Sequence, residues 1–226
     1  MATSLAPFAA AKMSCYASRF SDQPKPTTEE SFMNITVYCG SNPGDNPRFT
    51  EAAHALGTWI AQNGHTLVYG GSSVGLMGTV SRAALEGGAS VIGVEPAFFI
   101  EAGVAQHDLT ELIVCETMSE RKAKMIELGD VFVALPGGVG TLEEITEIFT
   151  RVRLDMGPHE CFLLNIDGFY DPLAAFLASM VDRRFFDQCD LDRCHFPRSV
   201  DELAHLVATA DTRPRTRCEG PLLQKG

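Results

Sequence analysis

The chain has 226 residues, 45% of them hydrophobic and 21% charged, enough for one α/β domain with a full core and too few for two independent ones. Its formal net charge of −11 and pI near 4.9 exclude a nucleic-acid backbone or an anionic membrane as main partner, because both need a basic face. A small anion in a locally positive pocket is compatible with that charge.

Residues 1–33 are rich in Ala, Ser, Pro and Thr, carry no acid before Asp22 and lack the apolar core of a secretory signal. They read as a disordered extension, with a weak organelle-targeting segment as the second reading. No run approaches the roughly 18 apolar residues of a membrane helix. The expectation is a soluble, cytoplasmic protein. Seven cysteines at irregular spacing, three of them inside apolar runs (Cys39, Cys115, Cys161), read as reduced thiols rather than a disulfide framework.

Short apolar runs then alternate with helical patterns. "ITVYC" (35–39), "TLVYG" (66–70), "SVIGV" (90–94), "LIVC" (112–115), "VFVAL" (131–135) and "CFLLNI" (161–166) are continuous and β-branched, as strands buried on both faces must be. Between them, "RFTEAAHALGTWIAQNG" carries the 3.6 period and stops at Gly64, and "GLMGTVSRAALEGG" stops at Gly87 and Gly88. Two closing helices follow in "DPLAAFLASMVDRRFF" and "SVDELAHLVATA", the second opened by Ser199 and Glu202 at capping-box spacing. The fold class is therefore α/β, a single-domain, doubly wound (Rossmann-like) parallel sheet over residues 34–210, with a disordered tail at 211–226.

In such a sheet, ligands bind beyond the carboxyl ends of the strands. Four junctions there stand out: "CGSNPG" (39–44), "GGSSVGLMG" (70–78), "ETMSERK" (116–122) and "PGGVGTLEE" (136–144). The two glycine-rich loops suit an anion, since glycine lets successive N–H groups and a helix dipole approach it closely. Neither is a Walker loop, because no Lys follows the last glycine. "TLEE" places Thr141 at N-cap and Glu144 at N3 of a capping box, which accounts for stability but not for the crowding of Glu143, Glu144 and Glu147. The cation that such a cluster needs is offered by Arg121 and Lys122. Lysine is otherwise scarce, at positions 12, 25, 124 and 225. An arginine and a glutamate beside a phosphate cradle suit cleavage of the N-glycosidic bond of a nucleotide, with the arginine acting electrostatically because it is too basic to donate a proton.

With "MSERK" upstream, "PGGVGTLEE", "YGGSSVGLMG" and "VYCGSNPG" resemble the Lonely Guy family, cytokinin-activating nucleoside 5′-monophosphate phosphoribohydrolases often labelled lysine decarboxylases. The likeness runs over about residues 34 to 210. It implies Arg121 and Glu144 as catalytic groups, with Met118 and Lys122 lining the site. It implies further that Gly138, Val139, Gly140, Thr141, Leu142 and Glu143 hold phosphate and ribose, with Ser41 and Thr150 as further ligand contacts. Glu101 is the nearest acid to complete a purine pocket. The resemblance also implies a homodimer with the site at its interface, a nucleoside 5′-monophosphate as substrate, and neither cofactor nor metal. "GVEPAFF" departs from the more usual I-P after G-V, which bears on the base pocket.

Three rival readings differ in chemistry. A lysine decarboxylase needs a Schiff-base lysine, and only Lys122 and Lys124 lie in the folded region. A dinucleotide site has Gly75, Gly78 and Glu95 at suggestive spacing, but the glycine loop follows the second strand and is not G-x-G-x-x-G. A non-enzymatic nucleotide or cofactor carrier of the same fold is the third, and Arg121 with Glu144 weigh against it.

Overall fold

Alternate residues of each central strand feed opposite apolar layers, and that alternation builds the molecule. The computed structural model describes residues 32–210. The expected extension at 1–33 and tail at 211–226 lie outside the described residues, apart from Phe32 and Met33.

In chain order the elements are β1 (Asn34–Tyr38), α1 (Pro47–Gln62), β2 (Thr66–Tyr69), α2 (Gly75–Glu86), β3 (Val91–Pro96), α3 (Ala97–Glu101) and β4 (Glu111–Cys115). There follow α4 (Met118–Leu128), β5 (Val131–Ala134), α5 (Val139–Arg153), β6 (Cys161–Leu163), α6 (Asp171–Asp182), α7 (Gln188–Leu191), β7 (Cys194–His195) and α8 (Val200–Thr209). The strands form one seven-stranded parallel sheet in the order β4-β3-β2-β1-β5-β6-β7. The doubly wound α/β sheet expected from the sequence is therefore present. The order reverses between β1 and β5, where a parallel sheet opens a crevice for ligands.

On one face, Ile35 and Val37 of β1 and Val133 of β5 pack with Leu56 and Ile60 of α1, Leu76 and Val80 of α2, and Leu203 of α8. On the other, Tyr38, Phe132 and Ala134 meet Met125 of α4 and Ile145, Ile148 and Val152 of α5. Each fully buried large apolar side chain contributes about 1.5–3 kcal/mol, so these two layers supply most of the stabilisation. Thr36 is a fully buried polar residue of β1: its hydroxyl donates to the Met125 carbonyl at 3.1 Å and so anchors α4 to the sheet.

Helix ends largely follow the expected signals. Gly64 (φ +68°) and Gly88 (φ +88°) take the left-handed conformation just past α1 and α2. At α8, Ser199 Oγ accepts from Glu202 N at 3.1 Å, and Glu202 Oε2 accepts from Arg198 N at 2.7 Å, one residue ahead of the usual return partner. The capping box expected at Thr141 and Glu144 is absent. Gly138 is the N-cap of α5 and no side chain caps it, so Thr141 lies inside the first turn. A T-x-x-E box operates instead at α4, where Thr117 Oγ1 accepts from Glu120 N at 3.1 Å and Glu120 Oε2 accepts from Glu116 N at 2.9 Å.

Cys39, Cys115, Cys161 and Cys194 are free thiols. Cys189 departs from the all-thiol expectation and is disulfide-bonded. Among the described residues no helix is long and apolar enough to cross a membrane.

Candidate active site

The loops after β1 and β5 meet at the crevice through their backbones. Gly40 N donates to the Pro136 carbonyl at 3.1 Å, and Leu76 N, in the first turn of α2, donates to the Gly40 carbonyl at 3.1 Å. The two glycine-rich loops thus have different tasks. In "GGSSVGLMG", Gly75 sits at φ +59° against the backbone of Ser41 and Asn42 and buttresses the loop after β1. In "PGGVGT", the first turn of α5 has no side-chain cap and lines the cavity, and a helix start of that kind attracts an anion. Gly75→Ala is expected to cost about 2 kcal/mol or more, since the new methyl group meets Ser41 backbone in a left-handed conformation. Urea denaturation measures this, and an unchanged midpoint would show that the buttress carries no weight.

Between these loops lies a cavity of about 680 Å³, within the range of small-ligand sites. Ser41, Gly138, Val139, Gly140, Thr141 and Glu143 line it together with the Arg121 and Glu144 side chains. Val74, Met77, Phe99, Val104 and Met118 supply its apolar lining.

Arg121 projects from the first turn of α4, which the Thr117 cap fixes. Each nitrogen of its fork makes a hydrogen bond: Nε donates to the Val94 carbonyl at 3.0 Å, Nη2 to the Gly70 carbonyl at 3.2 Å and Nη1 to Glu144 Oε1 at 3.4 Å. Both partners of the ion pair are buried, Arg121 at 8% exposure and Glu144 at 8%. Burial pushes the Glu144 carboxyl up to about 7, against the opposing pull of Arg121. Gly70 is required here because any side chain would occupy the space of the guanidinium.

The acidic crowding on α5 is resolved by cations. Lys122 Nζ contacts Glu143 Oε1 at 2.6 Å and Glu147 Oε2 at 3.4 Å, while Arg151 Nη2 lies 3.3 Å from Glu147 Oε1. Lys122 therefore steers Glu143 at the rim rather than lining the cavity. Lys122→Ala is expected to change turnover less than about tenfold, because a partly exposed pair is worth about 0–1 kcal/mol. Steady-state kinetics beside Arg121→Ala would expose the contrast.

Of the other expected contacts, Leu142 and Thr150 lie on the outer flank of α5, where Thr150 Oγ1 donates to the Thr146 carbonyl at 3.1 Å. Glu101 sits exposed at the end of α3, outside the cavity. Of Glu101 and Glu95, the acid that lines the cavity is Glu95, near the end of β3. Sequence spacing had offered it only to a dinucleotide ribose; its place at the strand end, beside the G-V-E-P departure, was the available signal. Ser72 and Asn42 also line the cavity and carried no separate signal.

A family model described as "Possible lysine decarboxylase" matches residues 77–207. The cytokinin riboside 5′-monophosphate phosphoribohydrolase of Rhodococcoides fascians is 44% identical over 162 residues, which is 71% of this chain and 80% of that protein. The corresponding phosphoribohydrolase LOG of Oryza sativa is 44% identical over 154 residues, 68% of this chain and 64% of that protein. The chain belongs to the Lonely Guy family. Solved structures with the Lonely Guy chain's fold include the molybdenum cofactor carrier protein of Chlamydomonas reinhardtii, with a TM-score of 0.62 and 22% identity over 79% of this chain and 97% of that one. The molybdenum cofactor binding protein of Rippkaea orientalis gives a TM-score of 0.60 at 22% identity, covering 79% and 96%. At that identity the likeness to the Lonely Guy chain is one of fold alone.

Proposed function

We propose that this Lonely Guy protein hydrolyses the N-glycosidic bond of N6-modified adenosine 5′-monophosphates (cytokinin ribosides), and of AMP, to free base and ribose 5-phosphate. The observation that carries the reading is the buried Arg121–Glu144 pair in the same cavity as an uncapped helix N-terminus. In this reading the first turn of α5 and Ser41 hold the 5′-phosphate, so the ribose C1′ falls beside Glu144. The carboxylate then stabilises oxocarbenium-like charge and orients the attacking water. Arg121 favours the ionised form of Glu144 against the effect of burial and offers positive charge without giving up a proton.

Lysine decarboxylation finds no support in the lysines. A Schiff-base lysine needs a lowered pKa, whereas Lys122 is pushed up by its hydrogen bond to Glu143. Lys124 is occupied by Glu127 at 2.9 Å.

The reading places the enzyme in the cytoplasm as a homodimer. Val139, 87% exposed at the cavity rim, and Leu142 supply apolar surface for a second copy. The assignment of Leu142 and Thr150 as ligand contacts requires that second copy to cover their flank. The test is to incubate the protein with AMP and with N6-isopentenyl-AMP and separate the products by chromatography. Base and ribose 5-phosphate in equal amounts are expected, and release of neither from either nucleotide sinks the reading. Light scattering of the eluting protein reads its mass and decides the dimer.

A further inference from the structure

Glu95 is 2% exposed, lines the cavity, and its Oε2 has no hydrogen-bond partner among the described residues. A buried carboxylate left without donors is costly in its charged form and stable as the neutral acid. Gly71 makes room for it, since a Cβ there would come within 2.9 Å of Glu95 Oε2. Its position across the sheet says what it would meet. The first turn of α5 follows β5, while Glu95 leaves from β3 with β1 and β2 between, and three spacings of about 4.8 Å put the two strand ends about 14 Å apart. A nucleotide lying across the strand ends, with its phosphate on α5 and C1′ beside Glu144, brings its base toward Glu95, Phe99 and Val104.

We propose that Glu95 is the general acid of the reaction, a protonated carboxyl that donates to a ring nitrogen of the departing base. The proposal rests on the phosphoribohydrolase reading and supplies what that reading lacks, because Arg121 cannot act as the acid. As the C1′–N bond breaks, its electron pair goes to the base and the Glu95 proton moves to a base nitrogen. The water oxygen bonds to C1′ and its proton passes to the Glu144 carboxylate. Exchange with solvent then reprotonates Glu95 and deprotonates Glu144.

The charged and titratable groups that act on Glu95 are Arg121 from α4 and Tyr69 from β2, and Glu144 from α5 lines the same cavity. Burial raises the Glu95 carboxyl to about 7, with Arg121 pulling the other way. Activity that needs the protonated form is lost as pH rises through about 7.

Glu95→Gln keeps the shape and removes the proton. Two substrates separate the outcomes: AMP, whose base leaves more readily when protonated, and 4-nitrophenyl ribofuranoside 5-phosphate, whose phenolate leaves without a proton. We expect Glu95→Gln to lose about 10²-fold or more in kcat on AMP and less than tenfold on the nitrophenyl substrate, with the alkaline limb of the AMP profile gone. AMP turnover within tenfold of the parent overturns the proposal and leaves the phosphoribohydrolase reading standing. Equal losses on both substrates, shared by Glu95→Asp, overturn it too by making the residue structural. A parent protein that cleaves neither substrate removes the underlying reading and this proposal with it.

Discussion

Glu144→Gln is expected to lower base release about 10³-fold while leaving the fold intact, the scale seen when a single preorganised electrostatic group is removed. Glutamine matches the shape of the buried side chain and can still accept from Arg121, but it carries no charge for an oxocarbenium-like centre. The parent enzyme should show the same dependence through pH. Glu144 must be ionised to act and its carboxyl is pushed up to about 7 by burial, so it sets the acid limb of the kcat/KM profile, the alkaline limb belonging to Glu95. Stability runs the other way. A carboxyl raised from 4.5 to about 7 contributes stability that is complete below 4.5 and lost as pH climbs through about 7. Glu144→Gln does not titrate, so its melting temperature should fall less than that of the parent between pH 5 and 8. Chromatographic assay of adenine release reads the first effect and thermal melting the second; a variant turning over at the parent's rate removes Glu144 from the chemistry.

Arg121→Ala is expected to lose turnover to a similar extent and stability as well. The substitution strands a buried carboxylate, which typically costs about 3–5 kcal/mol, and leaves the Val94 and Gly70 carbonyls without their donor. It also drives the Glu144 carboxyl further up, because the larger of the two opposing charges, Arg121 ahead of Lys122, is gone. Arg121→Lys should recover part of the stability and little of the turnover, since a point charge cannot serve three acceptors spread over β2, β3 and α5. Urea denaturation alongside steady-state kinetics separates the two losses. Full activity in the lysine variant would mean that the fork geometry is irrelevant.

The sheet was legible because buried parallel strands must be apolar throughout, and Ile35–Tyr38 or Val131–Ala134 have no other stable use in a globular fold. Cys194–His195 escaped notice as β7 because two residues carry no pattern. Arg121, Glu144 and the glycine-rich turn were legible as well, since those residue types are expensive to place together without a ligand to serve. The misread features are local ones whose outcome depends on packing. "TLEE" fits the capping pattern, yet Gly138 opens the helix and Thr141 is drawn beneath Gly137 into a buried position. Glu101 and Glu95 could not be ranked by spacing. Only the end of β3, with Val94 packed into one apolar layer and Glu95 left at the crevice, decides which of them reaches the cavity.

The cavity lining is made of two materials. Its glycine-rich side is main chain, held in register by the Gly40–Pro136 and Leu76–Gly40 hydrogen bonds, whereas Met77, Phe99 and Val104 line it with side chains. On the proposed reading, sequence drift at those side chains would exchange one base substituent for another while the main-chain seat for phosphate stays as it is. Substrate range would then be an evolvable property mounted on a fixed handle.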